Sequence, residues 1–195
     1  MIFDLKKKEI RFKIVYYGPA LSGKTTNIVK IHDRFPGKKG KLITIDTQGE
    51  RTIFFDLLPI EVQILKGFKT RFYLYTVPGQ VHYRISRKLV LKGADGVIFV
   101  ADSQADRLEE NIDIYRELME NLKKLSLNGD RIPIIMQYNK RDLPDRLPVE
   151  KLEKELNVKG YPYYSAIAIK GIGVFKTLEG MIRKVIEFYL SREKA

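Results

Sequence analysis

The chain contains no cysteine. That excludes disulfides, thiolate metal centres and thiol catalysis, and with them a disulfide-stapled secreted scaffold or a zinc ribbon. Histidine is scarce: His32 and His82 are far apart with no Asp at ligand spacing, so both read as surface residues rather than as a metal pair. No run approaches the roughly 18 apolar residues that a membrane span needs. The opening Met1-Ile2-Phe3-Asp4-Leu5-Lys6 has the form of neither a secretory signal nor a myristoylation site, so a cytoplasmic protein is expected. Repeats, low-complexity tracts and linkers are also lacking.

What is present suits one domain spanning residues 1–195. The 195 residues are 44% hydrophobic, enough for a sizeable core. Thirty-six Lys and Arg against twenty-four Asp and Glu leave a formal charge of +12, which raises nucleic acid, anionic lipid and nucleotide phosphate as partners. The basic residues are scattered without aromatic interleaving, which favours a solvated surface over a nucleic-acid face.

Strand-like and helix-like segments alternate, the pattern of an α/β layer fold around a largely parallel sheet. Ile10–Tyr17 and Lys69–Tyr75 alternate in period two, and Gly96–Ala101 and Ile132–Tyr138 are apolar runs suited to buried strands. Leu108, Ile112, Tyr115, Met119, Leu122 and Leu125 recur at helical steps, as do Val174, Leu178, Met181, Val185 and Tyr189. Thr52–Leu58 is expected to pair with Lys69–Tyr75 as an antiparallel hairpin, closed by a short connection that contains Gly67.

The chemistry begins at Gly18-Pro19-Ala20-Leu21-Ser22-Gly23-Lys24-Thr25, a G-x-x-x-x-G-K-T pattern between a predicted strand and a predicted helix. Glycines let successive N–H groups and the helix N-terminus face phosphate oxygens, Lys24 reaches the terminal phosphates, and the Thr25 hydroxyl can ligate Mg²⁺. Thr26 continues this phosphate-binding run. A second constellation, Asn139-Lys140-Arg141-Asp142, follows an apolar strand at the carboxyl end where doubly wound sheets bind ligands. Guanine offers two donors, N1–H and the 2-amino group, which one carboxylate at Asp142 can accept; adenine has no matching pair. Asn139 can bond the purine and the P-loop, and the Lys140 stem can cover the ring. Ser165-Ala166 stands where a third loop would offer a backbone N–H to guanine O6.

These motifs, together with Glu50-Arg51-Thr52-Ile53-Phe54-Phe55-Asp56, Lys66-Gly67-Phe68-Lys69-Thr70-Arg71-Phe72, Thr76-Val77-Pro78-Gly79-Gln80 and Asn139-Lys140-Arg141-Asp142-Leu143-Pro144, resemble the small Ras-like GTPases. Among them, the chain is similar to the bacterial mutual gliding protein A (MglA) family over essentially its whole length. The resemblance implies a Ras-like P-loop NTPase fold: a central, mostly parallel six-stranded sheet flanked by helices, with an antiparallel hairpin of the second and third strands and room for an extra N-terminal strand. It implies a GTP/GDP switch that hydrolyses GTP with Mg²⁺, slowly when unaided, and controls cell polarity and gliding motility. A monomer on its own, it would be activated by a Roadblock-type homodimer, MglB, and recruited to a cell pole.

By the same resemblance Thr52 completes Mg²⁺ coordination beside Thr25, Arg51 places a cation on the transferring phosphoryl group, Gln80 orients the attacking water, and Gly79 faces the phosphate. Two positions depart from the usual pattern. Thr76 stands where most Ras-like GTPases carry a Mg²⁺-holding aspartate, and a neutral hydroxyl lacks that charge, implying looser Mg²⁺ with GDP. Ala20 stands where the family usually has glycine, and its methyl would crowd the γ-phosphate and slow hydrolysis. Two rival readings stay open: a GTP-binding module without turnover, and a small-molecule P-loop kinase, which would leave Asn139–Asp142 unexplained. The apolar Ile53–Ile60 reads either as a partner surface at a sheet edge or as a strand buried on one face.

Overall fold

The computed structural model describes residues 1–46, 54–64, 67–79, 83–127 and 132–192. Its strands are β1 (Ile2–Asp4), β2 (Glu9–Tyr17), β3 (Ile43–Asp46), β4 (Phe54–Val62), β5 (Lys69–Thr76), β6 (Gly96–Asp102), β7 (Ile134–Asn139) and β8 (Tyr163–Ser165). Its helices are α1 (Lys24–Arg34), α2 (Arg84–Leu91), α3 (Leu108–Lys124), α4 (Val149–Leu156) and α5 (Val174–Arg192). One sheet runs β3-β4-β5-β2-β6-β7-β8, and β1 pairs antiparallel with β2. The β5-β2-β6-β7-β8 section is parallel, and β3, β4 and β5 pair antiparallel in turn.

Period-two alternation divides β2 between two cores. Val15 and Tyr17 pack with Leu91 of α2, Leu118 of α3 and Leu152 of α4, whereas Ile14 and Tyr16 pack with Ile28 of α1 and Met181 of α5. β6 and β7 are buried on both faces, which is why their sequence is a continuous apolar run rather than an alternating one. Both predicted long helices are present as α3 and α5, with the expected stripes facing the sheet.

The expected six strands are joined by two more. β1 is the N-terminal extension, and β3 lies outside β4, with Ile43 opposite Leu57. An antiparallel β4–β5 pair is present, but the expected Thr52–Leu58 partner of Lys69–Tyr75 is shifted: the pairing runs from Leu57↔Tyr75 to Val62↔Thr70, Phe54–Leu57 pair with β3 instead, and Thr52 and Ile53 lie outside the described residues. β4 runs through Pro59 because the Pro59 carbonyl faces outward, accepting from Gly40 N–H at 2.8 Å. The donor that proline lacks therefore falls on the side away from β5. The sheet-edge expectation for Ile53–Ile60 is corrected: β3 and the 38–40 segment cover the outer side of β4, and Leu58 and Ile60 are buried core.

Candidate functional site

β2 ends at Tyr17, and the loop from Gly18 delivers the chain into α1 at Lys24. The turn into the helix is made at Gly23, whose φ of 100° is left-handed and where a Cβ would stand 2.2 Å from Asn139 Nδ2. Lys24 is buried with its ammonium on the carbonyls of Gly18 (3.0 Å) and Pro19 (2.5 Å). Burial, reinforced by the charge of Arg87, pulls its pKa down to about 7. A cavity of about 500 Å³ opens between this loop and the segment after β5, lined by Ala20, Leu21, Gly23, Lys24, Thr25, Thr26, Thr76, Val77, Pro78, Gly79 and Tyr83. Gly79 lies directly against the loop: a Cβ there would be 2.3 Å from Ala20 Cα. Arg107 braces the same spot, donating from Nη2 to the Ala20 carbonyl at 3.0 Å.

A second cavity of about 340 Å³ shares Leu21, Gly23 and Thr26 with the first and continues to Asn139, Lys140, Asp142, Leu143, Ile167, Ala168 and Ile169. Asn139 fastens three loops together: its Nδ2 donates to Ser22 O at 2.7 Å, and its Oδ1 accepts from Ala168 N–H at 2.8 Å. It therefore reaches the P-loop as expected, and it also lines the second cavity. Lys140, at φ 63°, sends its ammonium to Asp102 Oδ2 (2.5 Å) and Gln104 Oε1 (3.2 Å), so its stem spans the wall of this cavity. The Asp142 carboxylate is partly exposed and meets Lys170 Nζ at 3.3 Å.

Ser165 and Ala166 take a different place from the one expected. Ala166 N–H donates to Tyr138 O at 2.8 Å, continuing the β7–β8 pairing, and neither residue lines the cavity. The third wall is made instead by Ile167–Ile169. Arg51, Thr52 and Gln80 lie outside the described residues.

The sequence reading missed Asp56. This β4 residue is buried, and its carboxylate accepts from Thr25 Oγ1 (2.7 Å), Thr76 Oγ1 (3.0 Å) and Thr44 Oγ1 (2.9 Å). Its own N–H donates to Thr76 Oγ1 at 2.9 Å. The charge that Thr76 lacks is thus supplied one strand away, beside the Thr25 hydroxyl. One carboxylate and, hydrogen-bonded to it, the Thr25 hydroxyl that lines the first cavity are hard oxygen donors of the kind that fits Mg²⁺, which keeps waters and takes few protein ligands. The signal in the sequence was an aspartate inside an apolar strand run, a position where an unpaired charge is not tolerated.

The model of the ADP-ribosylation factor family matches residues 1–184. The chain is 51% identical over 184 residues to the mutual gliding-motility protein MglA of Myxococcus xanthus, covering 94% of each chain. It is 31% identical over 190 residues to human ADP-ribosylation factor-like protein 4C, covering 93% of this chain and 88% of that one. With ADP-ribosylation factor-like protein 6 of Caenorhabditis elegans the identity is 26% over 199 residues, covering 98% and 94%. No helix among the described residues is long and apolar enough to cross a membrane. Phosphate loop and base loop meet at one sheet edge, and the likeness runs almost from end to end, so the chain belongs to the ADP-ribosylation factor family and, within it, to the MglA group of Ras-like small GTPases.

Proposed function

We propose that the chain binds GTP across the two joined cavities, hydrolyses it with Mg²⁺, and acts as a switch in cell polarity and gliding motility. The carrying observation is the continuity of the cavities through Leu21, Gly23 and Thr26, with Lys24 at one end and Asp142 at the other. In this reading Lys24 leaves the carbonyls of Gly18 and Pro19 for the phosphates, as an ammonium in the company of the N–H groups at the start of α1. Asp142 accepts from guanine, with Lys170 beside the carboxylate at 3.3 Å. Asp56 and Thr25, joined by Thr52, hold Mg²⁺, which supplies charge neutralisation at the phosphates. Gln80 orients water, and Arg51 adds positive charge to the transferring group.

The partner most consistent with the likeness to MglA is a Roadblock-type dimer, MglB, acting on hydrolysis, with the chain in the cytoplasm and drawn to a pole. The test is direct. Purified protein should prefer GTP and GDP to ATP and ADP, and should release phosphate from GTP in a Mg²⁺-dependent reaction that a Roadblock-type partner accelerates. Equal affinity for adenine nucleotides would refute the base assignment, and binding without phosphate release, even with the partner, would leave a GTP-binding module.

A further inference from the structure

Behind the phosphate cavity, the end of β2 and the segment after β5 are tied to α3 by side chains that do not line the cavity. Arg87, on α2, is fully buried; its Nε and Nη2 each donate at 2.7 Å to the two carboxylate oxygens of Glu117 on α3. The remaining arm, Nη1, donates to the Pro78 carbonyl at 3.2 Å. Tyr17, the residue before Gly18, donates its hydroxyl to Glu117 Oε1 at 2.9 Å, and Arg84 Nε stands 3.3 Å from Oε2. Burial works to raise the Glu117 carboxyl, but the hydrogen bonds and charge of Arg87, with Tyr17 and Arg84, outweigh it and hold the group below its ordinary value.

Burying an ion pair adds little net stability compared with apolar packing, so its value here lies in what it orients. A trans peptide unit is planar, with its C=O and N–H pointing in opposite directions, and the described chain has no cis peptide bond. Drawing the Pro78 carbonyl toward Arg87 therefore turns the Gly79 N–H the other way. Gly79 lines the phosphate cavity and touches Ala20.

We propose that Arg87 and Glu117 are positioning residues for GTP hydrolysis: their two-pronged pair aims the Pro78–Gly79 peptide so that the Gly79 N–H faces the terminal phosphate. The proposal rests on the GTPase reading above. Neither residue touches the nucleotide; both act through Pro78. Because GDP lacks the phosphate that this peptide would meet, the pair discriminates triphosphate from diphosphate, which a merely structural role would not do.

The experiment uses the full chain, two single variants and their combination. Arg87→Lys keeps the charge but loses the fork, and Glu117→Gln keeps the shape. Single-turnover phosphate release is measured beside the dissociation of labelled GDP and of a non-hydrolysable GTP analogue. Arg87→Lys and Glu117→Gln should slow hydrolysis about 10-fold or more and speed analogue release, with GDP release changed less than about 2-fold. The double variant should be no worse than the poorer single one, because the two act as a unit.

Should Arg87→Lys fail to fold, Glu117→Gln decides the matter alone. Unchanged hydrolysis, or equal acceleration of GDP and analogue release, would overturn the proposal. A wild-type chain that bound no guanine nucleotide would overturn the underlying reading as well, and is recognised separately because it precedes any variant.

Discussion

Three side chains, Asp142, Asp56 and Lys24, each carry a charge whose chemistry can be tested alone. Asp142→Asn presents an amide donor where guanine offers two donors, a loss of about 2 to 4 kcal/mol. GTP affinity should fall accordingly while xanthine nucleotide is gained, as competition binding would read. For Asp56, the Thr25, Thr44 and Thr76 hydroxyls would all lose a charged acceptor in Asp56→Asn. Mg²⁺ should then be needed at about 10-fold or higher concentration to slow GDP release, followed by titration of the metal. Lys24 starts near pKa 7 in its buried resting position and becomes a full ammonium against phosphate. Nucleotide binding should therefore take up close to one proton at pH 8 and almost none at pH 6, measured calorimetrically in buffers of different ionisation enthalpy.

Between elements, Asn139 is the main joint, linking the end of β7 to the P-loop through Ser22 and to the third loop through Ala168. Asn139→Ala removes two buried hydrogen bonds and leaves both partners unsatisfied, at a cost of about 2 to 4 kcal/mol. Affinities for GDP and GTP should drop together, in contrast to the expected split for Arg87 and Glu117. The α2–α3 link also has a pH signature. The Glu117 pKa is lowered in the folded state, so its contribution is present above its unfolded value of about 4.3 and is lost as pH falls through the folded value. Acid unfolding of Glu117→Gln should accordingly show a shallower fall in Tm below about pH 4.5 than the parent chain.

At the scale of the molecule, the proposed nucleotide site draws on loops that follow β2, β5, β7 and β8, distant in sequence and brought together by one sheet. A ligand that binds only the folded chain stabilises it by about 2.7 kcal/mol at a hundred times its Kd. Added GDP with Mg²⁺ should raise Tm in proportion to the logarithm of its concentration, and ATP should not.

Local order is where the sequence spoke most clearly. The strand-to-helix junction at Gly23–Lys24, the loop that follows β7 and the stripes of α3 and α5 were legible because a glycine-rich turn, a polar loop after an apolar strand and burial each leave particular residues at short, regular spacing. Four strands were legible for the same reason, since period-two alternation and apolar runs are local signals. Only the tertiary structure decided that β4 lies inside the sheet, because its cover, β3 and the 38–40 segment, is joined to it by pairing that leaves no mark in its own sequence. It alone decided that Ala166 N–H pairs with Tyr138 and that Asn139 joins the P-loop to the loop at Ala168. Asp56 beside Thr25, and Arg87 on Glu117, are contacts across 31 and 30 residues of chain. A carboxylate finds its partners through space, so what a residue will do is written locally only when its partner is local too.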